Sequence, residues 1–182
     1  MKYRITFRNH FKALEFSFVV IIFLLAGIIY LNYDSNKFRP NIEINILIIF
    51  GVIFLPALYL HIEYYYYNRG AKLEIDSYQK QLNYTDKTGV TQAYSFDDLN
   101  NIIIYMAPSW HRGSSFQLLP FEQYHYARIY TRSGKEIIIT CLMAQKVQEA
   151  IKNITGVPVE KKKRLFASVL VDNFIERNTL RK

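Results

Sequence analysis

Two long apolar runs near the start of the chain stand apart from the polar, alternating pattern of the rest. The first extends from Ala13 to Leu31, and from Phe16 onward only Ser17 in it is polar. The second extends from Ile44 to Leu60, with Asn45 at one end and His61 and Glu63 just past the other. A helix rises about 1.5 Å per residue and a bilayer's hydrocarbon core is about 30 Å thick, so runs of this length predict a transmembrane helical hairpin. The spans fall at about 13–32 and 44–62, joined by a connector at Asn32–Glu43. Pro56 lies inside the second run; a membrane helix tolerates it as a kink because neighbouring groups satisfy the freed carbonyl. A basic start and an apolar run also describe a signal peptide, but this run exceeds an h-region and no A-x-A-like site follows it. Tyr64-Tyr65-Tyr66-Tyr67 come directly after the second run. Tyrosine joins an apolar ring to a polar tip, so Tyr64, Tyr65 and Tyr66 are expected at the headgroup level. The alternative, a buried tyrosine-rich strand, suits the last one or two of the run.

Beyond the tyrosines the pattern changes to a period of two. Asn68-Arg69-Gly70 is a turn signal, and residues 72–76 then alternate with Leu73 and Ile75 on one face. Residues 81–85 alternate again, and Asp86-Lys87-Thr88-Gly89 is a tight turn before a third strand at Val90–Phe96. Short turns make these three antiparallel neighbours. Ser95–Leu99 reads as a corner in which Asp97 or Asp98 accepts hydrogen bonds from nearby backbone and starts one helical turn. Further strands are expected at Asn101–Met106, Gln123–Thr131 and Glu136–Leu142, with a long loop at Ala107–Glu122 or a short strand near Ser115–Leu119 within it. Met143, Val147, Ala150, Ile151 and Ile154 then recur at helical spacing, and Gly156 and Pro158 end that helix. The divisions are therefore a basic N-terminus (1–12), the hairpin (13–63), one domain (64–156) and a basic, apolar tail (157–182) in which, if it is helical, Phe166, Leu170 and Phe174 fall on one face.

Charge adds an orientation. The formal net charge is +8. Lys and Arg number four before the first span, two in the connector and three soon after the second span, which puts both termini on the cytoplasmic side. Cys141 is the only cysteine, so no intramolecular disulfide forms and nothing calls for an oxidising compartment. The basic excess is met by a membrane more simply than by nucleic acid, which is not expected as a partner.

Two spans, an aromatic link, a meander of hairpins, the segment Ser95-Phe96-Asp97-Asp98-Leu99 leading into Ile102, and a closing helix resemble the membrane-anchored bacterial pleckstrin-homology-like (PH-like) proteins. The resemblance implies a bent barrel of about seven antiparallel strands capped by a C-terminal helix, a place in the bacterial inner membrane, and no enzymatic activity. Inositol-lipid binding in eukaryotic relatives uses a basic cluster between the first two strands. The loop assigned to that place here, Ser77-Tyr78-Gln79-Lys80, has one lysine, which argues against phosphoinositide binding.

Candidate chemistry is sparse. His10, His61, His111 and His125 show no ligand spacing, Asp97 and Asp98 point different ways from one turn, and Ser114, Ser115 and Cys141 lack a nearby base. No catalytic residue, metal site or cofactor is expected. The loop carrying Trp110, His111, Arg112, Phe116 and Phe121 combines ring faces with a cation and suits a headgroup or a protein partner. Lys161, Lys162, Lys163 and Arg164 precede an apolar run and suit an anionic leaflet. The leading expectation is a membrane-held binding module for a protein partner, a second copy or anionic lipid headgroups. The alternative is an accessory subunit of a larger membrane complex with the hairpin as its interface.

Overall fold

A computed structural model describes residues 1–33, 40–111 and 119–179. The chain opens with a short strand, β1 (Lys2–Arg4), before the hairpin helices α1 (Phe7–Tyr33) and α2 (Pro40–Asn68). It continues through β2 (Lys72–Asp76), β3 (Gln81–Thr85), β4 (Thr91–Ser95), a 3-10 turn at Phe96–Asp98 and β5 (Leu99–Met106). Then come α3 (Pro108–His111), a second 3-10 turn at Pro120–Gln123, β6 (Tyr126–Thr131), β7 (Glu136–Thr140), α4 (Val147–Ile151), β8 (Val159–Lys163) and α5 (Val169–Thr179).

The strands form two four-stranded sheets, ordered β1-β2-β3-β4 (sheet A) and β7-β6-β5-β8 (sheet B), where a bent barrel of about seven antiparallel strands is expected, and β8 adds an eighth strand that pairs parallel with β5. β1 lies inside the stretch read as a basic flank and pairs antiparallel with β2, setting Tyr3 opposite Leu73. The hairpin is thus inserted between two neighbouring strands of one sheet. The connection between the first two strands is therefore the hairpin itself, not Ser77–Lys80, which joins β2 to β3.

Sheet A follows the alternation of its sequence. Leu73, Ile75, Leu82, Tyr84 and Tyr94 point into a core shared with Ile102, Ile104, Met106, Ala127, Ile129, Ile137 and Ile139 of sheet B. The turns are closed by aspartates: Asp76 accepts from the backbone N–H of Tyr78 and Gln79, and Asp86 from those of Thr88 and Val90. Gly89 in the latter turn takes φ +88°, a conformation that side chains with a Cβ resist. At the corner, the Asp98 carboxylate accepts from the Ser95 backbone N–H, and the Ser95 hydroxyl accepts from that of Asp97. The expected aspartate cap is present, with Asp98 as the capping carboxylate.

The central strands of sheet B, β5 and β6, are buried on both faces. The unbroken run Ile102-Ile103-Ile104-Tyr105-Met106 is the signature of this: even members enter the shared core, while Ile103 and Tyr105 face the opposite way. Strands covered on both sides read as continuous apolar runs rather than alternation. The second face holds Ile103, Tyr105, Tyr124, Tyr126, Cys141 and Leu142, and it is covered by Ala57, Leu60 and Tyr64 of α2 and by Ala167 and Val169 at the start of α5.

The expected closing helix is short. Of the stripe Met143–Ile154 only Val147–Ile151 is helical; Met143, Ala144 and Ile154 still reach the core from the flanking turns. The tail is structured: β8 runs parallel to β5, with Ile103 opposite Glu160 and Tyr105 opposite Lys162, and α5 follows. The short strand considered near Ser115–Leu119 falls almost wholly outside the described residues.

Candidate functional site

The hairpin is fixed to the domain along the last turns of α2. Asn68 is fully buried and acts as a strand partner: its Nδ2 donates to the Ile138 carbonyl and its Oδ1 accepts from the Thr140 backbone N–H, both at 2.8 Å. On the other helix, Asn9 Nδ2 donates to the Leu142 carbonyl at 2.8 Å and its Oδ1 accepts from Gln145 Nε2 at 3.0 Å. Between these two asparagines runs a chain of contacts in which His10 Nδ1 lies 2.9 Å from His61 Nε2, and His61 Nδ1 lies 3.0 Å from the Tyr124 hydroxyl. Glu63, also buried, accepts from the Ser168 hydroxyl and from the Leu170 backbone N–H, so α2 caps the first turn of α5.

This arrangement relocates the tyrosine run. α2 does not end before the tyrosines; it carries them, because its 29 residues extend roughly 43 Å, well beyond a bilayer core. Tyr64 is fully buried, donates to the Ala167 carbonyl at 2.5 Å and meets Tyr124 and Tyr126 edge-on. Its expected place at the headgroup level is therefore corrected to the domain core: helical spacing puts it on the same face as Ala57 and Leu60. Tyr65 and Tyr66 are exposed, and Tyr66 receives Lys87 over its ring at 5.0 Å.

Beside the start of α1 a cleft of about 540 Å³ has Lys2, Arg4, Arg8 and Lys146 in its lining, together with Thr6, Glu149 and neighbouring residues of β1 and the turn before α4. Lys2 pairs with Glu74 at 3.3 Å and Lys146 with Glu149 at 2.8 Å; both are solvent-facing pairs that bind little free energy. Arg4 and Arg8 have no ion pair among the described residues. Four cations converge here because β1 brings residues 2–4 alongside the turn that carries Lys146, a neighbourhood invisible in the linear chain.

The sequence-selected residues separate. Lys161, Lys162 and Lys163 lie on β8, so they alternate in direction. Lys161 and Lys163 are exposed, whereas Lys162 sits over the Tyr105 ring at 5.8 Å. Arg164 turns inward, its Nε 2.7 Å from the Asp172 carboxylate. Phe121 is half-buried and meets Phe166 edge-on, 6.2 Å between ring centres. Trp110 and His111 end α3, with side chains outside the described residues, and Arg112 and Phe116 lie wholly outside them.

Polar groups on the second face of sheet B hold α5. Arg128, 2% exposed, ion-pairs through Nε with Glu136 at 3.2 Å and through Nη1 with Glu176 at 3.0 Å, and its Nη2 donates to the Val169 carbonyl. The Tyr105 hydroxyl donates to Glu176 and the Tyr126 hydroxyl to Asp172, each at 2.6 Å. Burial pushes both phenols above their ordinary range, so they stay protonated as donors. These residues contact one another rather than an open cleft.

His125 is also structural. Its Nδ1 lies 2.8 Å from the Gln123 carbonyl and its Nε2 accepts from the Val147 backbone N–H at 3.4 Å. Burial holds its pKa below the ordinary value, which keeps the ring neutral. Burial likewise pushes the Cys141 thiol up to about 12, far from a reactive thiolate. Among the described residues no group of three or more His, Cys, Asp or Glu side chains converges to hold a metal ion.

Comparison with curated proteins gives no match. A family model for the PH domain matches residues 2–150, more than half of the chain. The matched stretch begins at β1, includes the inserted hairpin and ends within α4, so β8 and α5 lie beyond it. PH domains are typically non-catalytic modules that bind proteins or lipid headgroups. With the strand inserted ahead of the hairpin counted, β1 to β7 supply seven strands, and the chain belongs to the PH-domain family.

Proposed function

We propose that the protein is a non-enzymatic integral membrane protein whose hairpin holds the PH domain against the cytoplasmic face of the bacterial inner membrane. The observation that carries this is the surface of α2. Its Ile44–Asn68 stretch is long and apolar enough to cross a bilayer, yet only 11% of its most apolar window is buried. A core helix of that composition would be covered by protein; this one presents Leu47, Ile48, Val52 and Leu55 outward. α1 reaches the same standard when Phe7–Glu15 and Ser17–Tyr30, bent by 48°, are taken as one span.

The basic cleft beside α1 is the binding site favoured by its charge. Arg8 precedes Ala13 by about one and a half helical turns, so its guanidinium is within reach of anionic headgroups when α1 enters the membrane there. The aromatic and cationic residues Trp110, His111, Arg112, Phe116 and Phe121 are the second candidate, for a headgroup, a peptide or a protein partner. The topology is tested by alkaline carbonate extraction and by a reporter fused after Lys182. The protein is expected to stay with the membrane and the reporter to behave as cytoplasmic. Release by carbonate, or a periplasmic reporter, overturns the reading. For the cleft, lipid retained by the detergent-purified chain is weighed by mass spectrometry. Arg4→Ala with Arg8→Ala is expected to lower the anionic lipid retained several-fold and to leave zwitterionic lipid unchanged.

A further inference from the structure

α5 is amphipathic in the reverse sense from a helix on a water-facing domain. Its inward face carries the two carboxylates: Asp172 is 1% exposed and bound by Tyr126 and Arg164, and Glu176, one turn on, is bound by Tyr105 and Arg128. Its outward face carries Leu170, Val171 and Phe174, with Phe174 69% exposed, and ends in exposed Arg177 and Asn178 in the last turn, where a long cationic side chain reaches the headgroups. Turning carboxylates inward, with Asp172 buried, while leaving large apolar side chains exposed is unfavourable in water, where the apolar face of a helix is normally the covered one. It becomes favourable when the outward face meets an apolar medium.

The surroundings of α5 say which medium. The segment leading into it, Leu165 and Phe166, lies against α2: Phe166 stacks on Tyr59 with 5.9 Å between ring centres, and Phe121 meets Phe166 from the other side. Leu55, Pro56 and Tyr59 of α2 form one wall of a groove whose other walls are Phe121, Leu165, Phe166 and Val171, and whose lining is almost wholly apolar. The groove is therefore continuous with the outward surface of α2. Tyr59 lies about two and a half turns before the end of α2, so this contact falls on the bilayer side of the point where Asn68 joins the sheet. Exposed Lys161 and Lys163 stand just ahead of the segment. An aromatic cluster, an apolar helix face and flanking lysines are the chemistry of a membrane interface.

We infer that Leu165–Phe174 is an in-plane membrane anchor: α5 lies in the headgroup region with Leu170, Val171 and Phe174 toward the acyl chains, and a lipid tail occupies the groove between it and α2. This rests on the reading that α2 crosses the bilayer. It makes Tyr59, Phe121 and Phe166 the interfacial aromatic cluster. It also gives the segment beyond the PH match a role, because the charged network on sheet B fixes the depth and roll of α5.

The test uses the full chain reconstituted in vesicles of mixed anionic and zwitterionic phospholipid, with one environment-sensitive thiol label per variant. The buried Cys141 thiol, with its pKa near 12, does not compete for label at neutral pH. Labels are placed by Phe174→Cys on α5, Val52→Cys on the outward face of α2, and Tyr78→Cys at a fully exposed turn. Each is titrated with bilayer-borne and water-soluble quenchers. The expected result is that labels at 174 and 52 are quenched several-fold more by the bilayer-borne quencher than the label at 78, with 174 at the shallower depth. A label at 52 in lipid with one at 174 in water overturns the anchor and leaves the span intact. Labels at 52 and 174 both in water overturn the span itself. A label at 174 shielded from both quenchers means that protein, such as a second copy, covers the face, and this also overturns the anchor. Leu170→Cys repeats the measurement one turn earlier should Phe174→Cys fail to fold.

Discussion

Sheet A and sheet B have the same number of strands and share one core, but they meet their surroundings differently. Sheet A is covered once. Its other face meets water, and β2 and β3 alternate accordingly. Sheet B is covered twice, by sheet A on one side and by α2 with α5 on the other. Its second cover is chemically unlike the first. The shared core is mainly aliphatic, with Tyr84, Tyr94 and Phe96 its aromatic members, whereas the second face interleaves tyrosines with Arg128 and binds α5 through carboxylates. Aliphatic burial is non-directional and tolerates sliding, while ion pairs and hydroxyl donors fix one geometry. The domain thus uses one sheet to close a core and the other to hold the hairpin and α5 in a set orientation.

The largest effect is expected in the shared core: Ile104→Ala removes a side chain 1% exposed between the sheets and should cost about 3–4 kcal/mol, read by chemical denaturation of the detergent-solubilised chain. A loss below about 1 kcal/mol would mean the sheets do not close on each other as described. Arg128→Met should cost about 3 kcal/mol, because Glu136 and Glu176 lose their shared cation beside a buried face. It should also expose α5 to protease before the rest of the domain. Global unfolding with no early α5 cleavage would make the second face ordinary core.

Smaller effects test the mounting and the open face. Asn68→Ala leaves the Thr140 N–H and the Ile138 carbonyl without their side-chain partners, and about 2 kcal/mol should be lost. Hydrogen exchange at β7 should rise in the same variant, and unchanged exchange would show that the hairpin is held elsewhere. His125 gives a pH signature. Its folded pKa is depressed by burial, so stability is present above the unfolded value near 6.5 and is lost as pH falls below it. Between about pH 6.5 and 5.5 the wild type should lose at most about 1.4 kcal/mol more than His125→Gln, and equal slopes would assign the titration to other groups. Last, Ala93→Thr on the exposed face of β4 should change stability by less than about 0.5 kcal/mol.

Much of the fold was written in the periods. Alternation gave β2 and β3 almost to the residue, the Asp-Lys-Thr-Gly turn gave the hairpin between β3 and β4, and the Ser95–Asp98 corner gave its own cap. β1 was not legible because Lys-Tyr-Arg has no period of its own and becomes a strand only against Leu73 and its neighbours. The tyrosine run was read by composition alone, whereas helical spacing from Ala57 through Leu60 already aims Tyr64 at one covered face. The basic run before α5 looked like one patch; on a strand it points alternately, and Arg164 is used internally. The cleft with Arg4 and Arg8 was illegible, since Lys146 reaches it only through the fold.

The local pieces follow from residue order alone: two apolar runs long enough for a bilayer, strands with their turns, and an excess of cations around them. Each depends on neighbours within a few residues, where sterics and periodicity act directly. Packing between distant parts of the chain made the hairpin interrupt a sheet, placed Tyr64 in the core, and turned the carboxylates of α5 inward with Leu170 and Phe174 out. Those facts depend on which surfaces meet across many residues of chain. A side chain's character says that it must be satisfied, and only the fold supplies the partner that satisfies it.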